Sequence, residues 1–150
     1  MQDVSEAWGR LARGDFQGAA DLSSKLLVRF PNDPAVLSCN AMSNWQLGAD
    51  IDKCIADMRR SVALSPEDAW IRHNLATVLA SNGELEEACD SFMKAIELKP
   101  DQADFHYNLA TVYRRQQKTQ EAIAEYQKAL ALDNRLAPAH YDLGVLLAQL

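Results

Sequence analysis

The sequence has little that would support secretion, membrane insertion or nucleic-acid binding. Its N-terminus, Met1-Gln-Asp-Val-Ser-Glu, lacks the basic and apolar regions of a signal peptide, and no apolar run is long enough to span a bilayer. Acidic residues outnumber basic ones by 21 to 15, and the net charge of −6 opposes general binding to phosphate or to an anionic membrane surface. We therefore predict a cytoplasmic protein with no nucleic-acid partner and no membrane insertion.

Motifs that carry enzymatic chemistry are missing as well. The sequence contains no glycine-rich phosphate loop, no Gly-x-Ser-x-Gly elbow and no Cys-x-x-Cys pair. Cys39, Cys54 and Cys89 are an odd number of cysteines without metal-type spacing, so reduced intracellular thiols are the simplest interpretation. We expect no catalytic residue, no cofactor and no metal ion, and we predict that the protein is not an enzyme.

What the sequence does contain is a well-formed stretch, residues 70–100, with the pattern of two amphipathic helices. Ser81-Asn82-Gly83 interrupts the pattern, because asparagine and glycine tolerate the left-handed conformation that ends a helix. Pro100 ends the second helix because it has no backbone donor. A pair of this size cannot close a core and must stack on similar pairs. The predicted inner faces comprise Ile71, Leu75, Val78 and Leu79, then Leu85, Ala88, Phe92, Ala95 and Ile96.

The same pattern returns 34 residues later. Asn74-Leu-Ala-Thr-Val reappears as Asn108-Leu-Ala-Thr-Val, and alanines recur at equivalent positions of the second helix. The period and the residues resemble the tetratricopeptide repeat, and this copy carries the family pattern at Leu75-Ala76, Leu79, Gly83, Ala88, Phe92, Ala95 and Pro100. The resemblance implies an all-α, right-handed α-solenoid of antiparallel helix pairs, with about four repeats plus a terminal helix.

The period divides the chain, taken as a single solenoid domain 1–150, into five units. Residues 1–34 form a degenerate copy, 35–68, 69–102 and 103–136 follow in register, and 137–150 begin a fifth copy or a cap. Trp8 falls where later copies have small residues, so we consider a position on an end face for it. Cys54 takes the position of Ala88 and is expected in the core. The last helix is too apolar for a finished cap, which indicates either a fragment of a longer protein or contact with another chain. Both predict self-association.

Histidine and asparagine also recur with the repeat. His73, His106 and His140 lie one per unit, and neighbouring helices about 8–10 Å apart hold such rings too far apart to share a metal ion. Asn40, Asn74 and Asn108, here called the asparagine row, also lie 34 residues apart. An asparagine side chain is both a donor and an acceptor, so it can bind a peptide backbone without reading side chains.

The resemblance adds a location and an alternative for this row. In tetratricopeptide proteins the first helices line a concave groove, and this row is similar to the asparagines that hold substrate peptide in O-linked N-acetylglucosamine transferases. Asparagine is also commonplace at this position in the family. The row therefore either binds a ligand or only follows the common residue of the family. Around it we expect a mixed polar and aromatic lining, comprising Cys39, Ser43, Gln46, Trp70, His73, Thr77, Tyr107, Thr111, Arg114, Arg115 and Tyr141.

The lining disfavours one ligand class. A carboxylate clamp for acidic chaperone tails needs lysine one residue before the asparagine, where this chain has Cys39, His73 and Tyr107. We predict a protein-interaction scaffold that binds an extended peptide or a partner helix in the groove. The alternatives are a non-catalytic, substrate-presenting region of a larger sulfotransferase or glycosyltransferase, and a structural module that self-assembles, with residues 137–150 joining copies in a homo-oligomer.

Overall fold

The computed structural model describes residues 2–149, and over this range it consists of nine α-helices without strands. The helices are α1 (Gln2–Ala12), α2 (Phe16–Arg29), α3 (Pro34–Gln46), α4 (Ile51–Leu64), α5 (Ala69–Asn82), α6 (Leu85–Leu98), α7 (Ala103–Arg115), α8 (Thr119–Leu132) and α9 (Ala137–Ala148). The predicted all-α class is therefore confirmed.

The helices stack as antiparallel pairs in chain order. Each helix packs against its predecessor and its successor, and α3 also contacts α1 and α5, while α5 contacts α7. Direct contact between these first helices places them on the inner side of the stack, with the second helices outside. The arrangement is the solenoid that the repeat predicts, and it places the first helices side by side.

Aspartates set the starts of four helices. Asp15, Asp33, Asp50 and Asp68 are N-caps whose side chains accept hydrogen bonds from backbone N–H groups of the next turn. Three of the turns within pairs use glycine at positive φ, as at Gly83 (φ 86°), but the fourth uses Gln117 at φ 61°. A side chain at this φ is strained, so this turn has a cost that the glycine turns avoid.

Each second helix buries one residue at the centre of its inner face, here called the bulky position. It holds Ser23, Met58, Phe92 and Tyr126 in α2, α4, α6 and α8, and all four side chains are buried. Alanines flank the last two, which lets the backbones approach closely. Cys54 is buried at the predicted core position. Phe92 and Tyr126 supply the aromatic residue of the family pattern, Met58 replaces it with another large apolar side chain, and Ser23 is much smaller.

Candidate functional site

The N-terminal part of the groove contains an open cavity between two tryptophans, here called the tryptophan cavity. Its volume is about 350 Å³, and it is lined by Trp8 of α1, Ala35 of α3, and Asp68, Trp70, Ile71, His73 and Asn74 at α5. A second cavity of about 510 Å³ shares Trp8 and Ala35 and extends to Asp33 and Phe30. Trp8 thus belongs to the groove, and the end-face position considered from the sequence is wrong.

Aromatic contacts hold Trp70 and His73 in place. The ring of Trp70 packs edge-on against Phe105 at 4.8 Å and His73 at 5.9 Å between centroids, and the side chain stays 42% exposed. His73 stacks on Phe105 at 4.7 Å and meets the edge of Phe92 at 5.4 Å. These contacts cross from α5 to α6 and α7, so the aromatic wall of the groove is packed against three helices.

His73 is linked to the asparagine row. Its Nε2 lies 2.8 Å from Nδ2 of Asn108, so the amide donates across α5 and α7, while His73 Nδ1 is buried and makes no hydrogen bond within residues 2–149. Burial lowers the pKa of His73, against smaller raising contributions from the neighbouring Asn74 side chain and from the charge of Asp104. The geometry and the pKa both favour a neutral imidazole.

The three asparagines have different surroundings. Asn40 is buried and donates from Nδ2 to the hydroxyls of Ser23 at 3.0 Å and Ser24 at 2.9 Å, while its Oδ1 accepts from Asn44. Asn74 is as buried as Asn40 and donates to Ser38 at 3.3 Å, but it lines the tryptophan cavity, whereas Asn108 is half-buried. Both amide hydrogens of Asn40 are therefore committed to α2, whereas Asn74 and Asn108 each use one amide hydrogen between first helices.

The C-terminal part of the groove is smaller and more polar. A cleft of about 170 Å³ lies between α5 and α7, with Thr77, Asn108, Thr111 and Arg115 among its lining. Arg115 donates to the carbonyl of Ala80, at the end of α5. Arg114 is exposed and does not line this cleft. This cleft brings together three of the residues predicted to surround the row.

Asp142 occupies the position of the asparagines in the last helix. Its carboxylate accepts hydrogen bonds from Tyr107 at 3.2 Å and Tyr126 at 3.4 Å, and the Tyr126 hydroxyl also lies 3.2 Å from that of Thr111. Burial, with the nearby Asp142 charge, raises the pKa of Tyr107. Tyr141 is 74% exposed beside this network. The last helix thus has a carboxylate at the position where α3, α5 and α7 have an asparagine.

Two residues expected in the lining are buried instead. Ser43 has no exposed surface and donates to the carbonyl of Cys39, which is equally buried. Burial raises the pKa of Cys39 to about 11, so its thiol stays protonated at neutral pH. Both side chains face the neighbouring helices, and the prediction that they line the groove is wrong. Gln46 is exposed at the end of α3.

The remaining histidines lie outside the groove cavities. His106 is buried, with Nδ1 2.6 Å from Glu125 and Nε2 3.0 Å from the carbonyl of Pro100, and His140 contacts the carbonyl of Asn134. Within residues 2–149, no three His, Cys, Asp or Glu side chains are grouped to hold a metal ion. No helix of that range is long and apolar enough to cross a membrane.

The sequence interpretation missed Trp8, Ala35 and Asp68 as groove residues. A period of 34 aligns Trp8 with Met42, Ala76 and Ala110, so the repeat pattern does not predict its contact with the cavity. Asp68 has the signature of an N-cap, which accounts for its presence without reference to a ligand. Tryptophan stands on three of the first helices, as Trp8, Trp45 and Trp70, and the sequence does not show that Trp45 alone stays away from the cavity.

Comparisons with known proteins agree with this architecture. The chain is similar to MamA (24% identity, TM-score 0.80, 95% of this chain and 83% of that one) and to PilF of Pseudomonas aeruginosa (20%, 0.88, 99% and 67%). It is also similar to YrrB, described as a TPR protein with an unusual peptide-binding site (20%, 0.77, 91% and 70%). No curated protein sequence matches. The TPR repeat family model matches residues 76–117 and 110–150, which together span half of the chain, so the chain belongs to the tetratricopeptide repeat family.

Proposed function

We propose that the protein is an interaction scaffold that binds an extended peptide segment of a partner in the groove of the first helices. The observation that carries this proposal is the open tryptophan cavity, in which a large aromatic side chain remains partly exposed. Pockets that combine aromatic walls with a few polar groups are typical binding sites, and buried tryptophans often dominate binding energy.

Asn74 and Asn108 are the members of the row best suited to hold the peptide backbone. Each has a second amide hydrogen that makes no hydrogen bond to the rest of residues 2–149, so it can donate to a peptide carbonyl. Equivalent groups on successive first helices lie on the order of 10 Å apart, which is about three residues of extended chain. Asn40 has no such hydrogen, so we assign it a structural role.

A relative of the same fold supports peptide as the ligand class. YrrB is described as having a peptide-binding site, and it matches 91% of this chain with a TM-score of 0.77. A sequence identity of 20% indicates a shared fold and no more. The ligand class is therefore inferred from the groove of this chain together with the peptide-binding site described for YrrB. Presentation of a substrate within a larger transferase is an alternative use of the same groove, and a catalytic domain encoded beyond Leu150 would identify it.

A displayed library of random 12-residue peptides tests the proposal. Selected peptides are synthesised, and their affinities are measured by fluorescence anisotropy for the parent and for the Asn74→Ala, Asn108→Ala double variant. Loss of two backbone hydrogen bonds is expected to weaken binding by about tenfold or more. Lys94→Ala is the matched control, because Lys94 is exposed on α6 and pairs with Glu97. Equal affinities for parent, double variant and control would contradict the proposal.

Self-association through α9 is a second candidate role. Leu147 is 50% exposed on this helix, although its neighbour Leu146 is buried, so α9 retains an apolar surface that no second helix covers within residues 2–149. We expect Leu147→Glu to reduce any concentration-dependent increase in mass during sedimentation. A parent protein that remains monomeric across a wide concentration range would contradict this role and leave the groove proposal unaffected.

A further inference from the structure

We propose that the tryptophan cavity accepts a basic side chain of the bound peptide, arginine or lysine, with the cation between the tryptophans and the nearby aspartates. This inference rests on the proposed function, because it names the chemistry that the same groove selects. It deepens the earlier proposal, in which Asn74 and Asn108 hold the backbone without distinguishing one side chain from another.

The walls of the cavity suit a long side chain with an apolar stem. Trp8 and Trp70 stand on α1 and α5, and Ala35 and Ile71 complete the apolar surface between them. Arginine and lysine bury their methylene groups against such surfaces while the charged end reaches a polar rim. A cation near a tryptophan ring is also attracted by the negative face of the ring, and tryptophan is the most effective aromatic partner.

Two carboxylates supply the charge complementarity. Asp68 lines the tryptophan cavity, and Asp33 lines the adjoining cavity that shares Trp8. Each uses Oδ1 to cap its helix, and neither makes a salt bridge to another residue in the range 2–149. A neutral ligand that covered these carboxylates would displace the water that solvates them and supply no positive charge in return. Such desolvation of an unpaired charge is unfavourable.

One protein cation lies near this site. Lys99 Nζ lies 6.0 Å from the centroid of the Trp70 ring, and Lys99 lines a separate, neighbouring cavity together with Trp70 and Asp68. Neither lysine nor arginine lines the tryptophan cavity itself. The net charge of −6 also favours the approach of a basic peptide over that of an acidic one.

A pair of small probes separates charge from shape. Titration with n-butylguanidinium, and separately with the neutral near-isostere n-butylurea, is followed by the indole N–H signals of Trp8 and Trp70 in two-dimensional NMR. Trp45 serves as the internal reference, because it packs against the core and lines neither cavity. We expect saturable shifts at Trp8 and Trp70, and an affinity about fivefold or more higher for the cation.

Asp68→Asn is the decisive variant, because asparagine caps a helix as well as aspartate does and only the charge is removed. It should reduce the preference for the cation to about twofold or less, while Trp70→Leu should weaken both probes. Equal binding of urea and guanidinium to the parent, or no saturable shift with either probe, would overturn the inference.

The peptide library keeps this result distinct from that of the proposed function. Selected peptides that need Asn74 and Asn108 but carry no basic residue would support groove binding and overturn the basic-residue inference. A cation response without any peptide dependent on the groove would overturn the proposed function and leave the cavity as a cation site. Enrichment of arginine or lysine that is lost in Asp68→Asn would support both.

Discussion

The first and third repeats have the same helix pair, but different residues pack at the bulky position. In the third repeat, Phe92 fills the space beneath α5 and its ring contacts His73. In the first, the smaller Ser23 is buried at this position, and the amide of Asn40 from the next helix donates to its hydroxyl at 3.0 Å. The comparison shows that a residue of the asparagine row becomes structural where the bulky residue beneath it is missing.

The two ends of the groove also differ in the size and polarity of their cavities. The N-terminal part contains Trp8 and Trp70 and larger cavities, while the C-terminal part is a small polar cleft with Thr77 and Thr111. Family signatures are densest where the bulky and small residues alternate regularly, and the family match accordingly covers residues 76–150. The degenerate first repeat therefore keeps the helix pair of the fold, while its side chains line cavities that differ from the cleft of the regular repeats.

The largest expected effect comes from emptying the regular bulky position. Phe92→Ala should lower the free energy of unfolding by about 3–5 kcal/mol, because it removes a buried ring and leaves a cavity. Met93→Ala is the control on the same helix, since Met93 is 43% exposed, and it should change stability far less, by about 1 kcal/mol or less. Urea unfolding measures both, and equal losses for the two variants would contradict the assigned packing.

A second experiment compares how two residues of the asparagine row affect stability and peptide binding. Asn40→Ala should cost about 1–3 kcal/mol of stability, since it breaks hydrogen bonds to two hydroxyls in a buried environment. Asn108→Ala should cost about 0.5–1.5 kcal/mol, because one hydrogen bond to His73 is lost. Peptide affinity should follow the reverse order. If Asn40→Ala weakens binding more than Asn108→Ala does while both proteins stay folded, the division of roles is wrong.

The turns of the third and fourth repeats give a smaller, reciprocal pair of changes. Gln117→Gly should stabilise by about 0.5–1 kcal/mol, because glycine adopts the positive φ of this position without strain. Gly83→Gln should destabilise by about 1 kcal/mol, since nothing lies within 4 Å of the added Cβ and only the backbone conformation is penalised. Thermal unfolding of both variants checks the pair, and shifts of the same sign would refute the interpretation.

The fold was predictable from the sequence because its signals are periodic. Ala88, Ala95 and Gly83 set the close approach of helices and the turn, and each has a recognisable position in a 34-residue pattern. The left-handed conformation of Gln117 was also predictable as a strained turn, since glycine stands at the equivalent position.

The side-chain partners were not predictable in the same way. A period locates Asn40 on α3 but does not show that Ser23, 17 residues earlier, leaves space for its amide. Ser43 has the same helical phase as the lining residues, yet it is buried because a first helix is covered by its neighbours on most of its surface. Such outcomes depend on the volumes of residues in other helices, which periodicity does not encode.

The smallest expected difference concerns pH, and it tests whether His73 contributes as a buried neutral group. Burial lowers its pKa in the folded protein, with Asp104 opposing, so the unfolded chain binds a proton more readily. The stability contribution of His73 is therefore present above pH 6.5 and is lost as the pH falls from there toward the folded pKa. Urea unfolding at about pH 7.5 and about pH 5.5 should show a larger loss for the parent than for His73→Gln, which cannot titrate. Both proteins share every other titratable group, so equal losses would show that His73 is protonated as easily in the groove as in the unfolded chain.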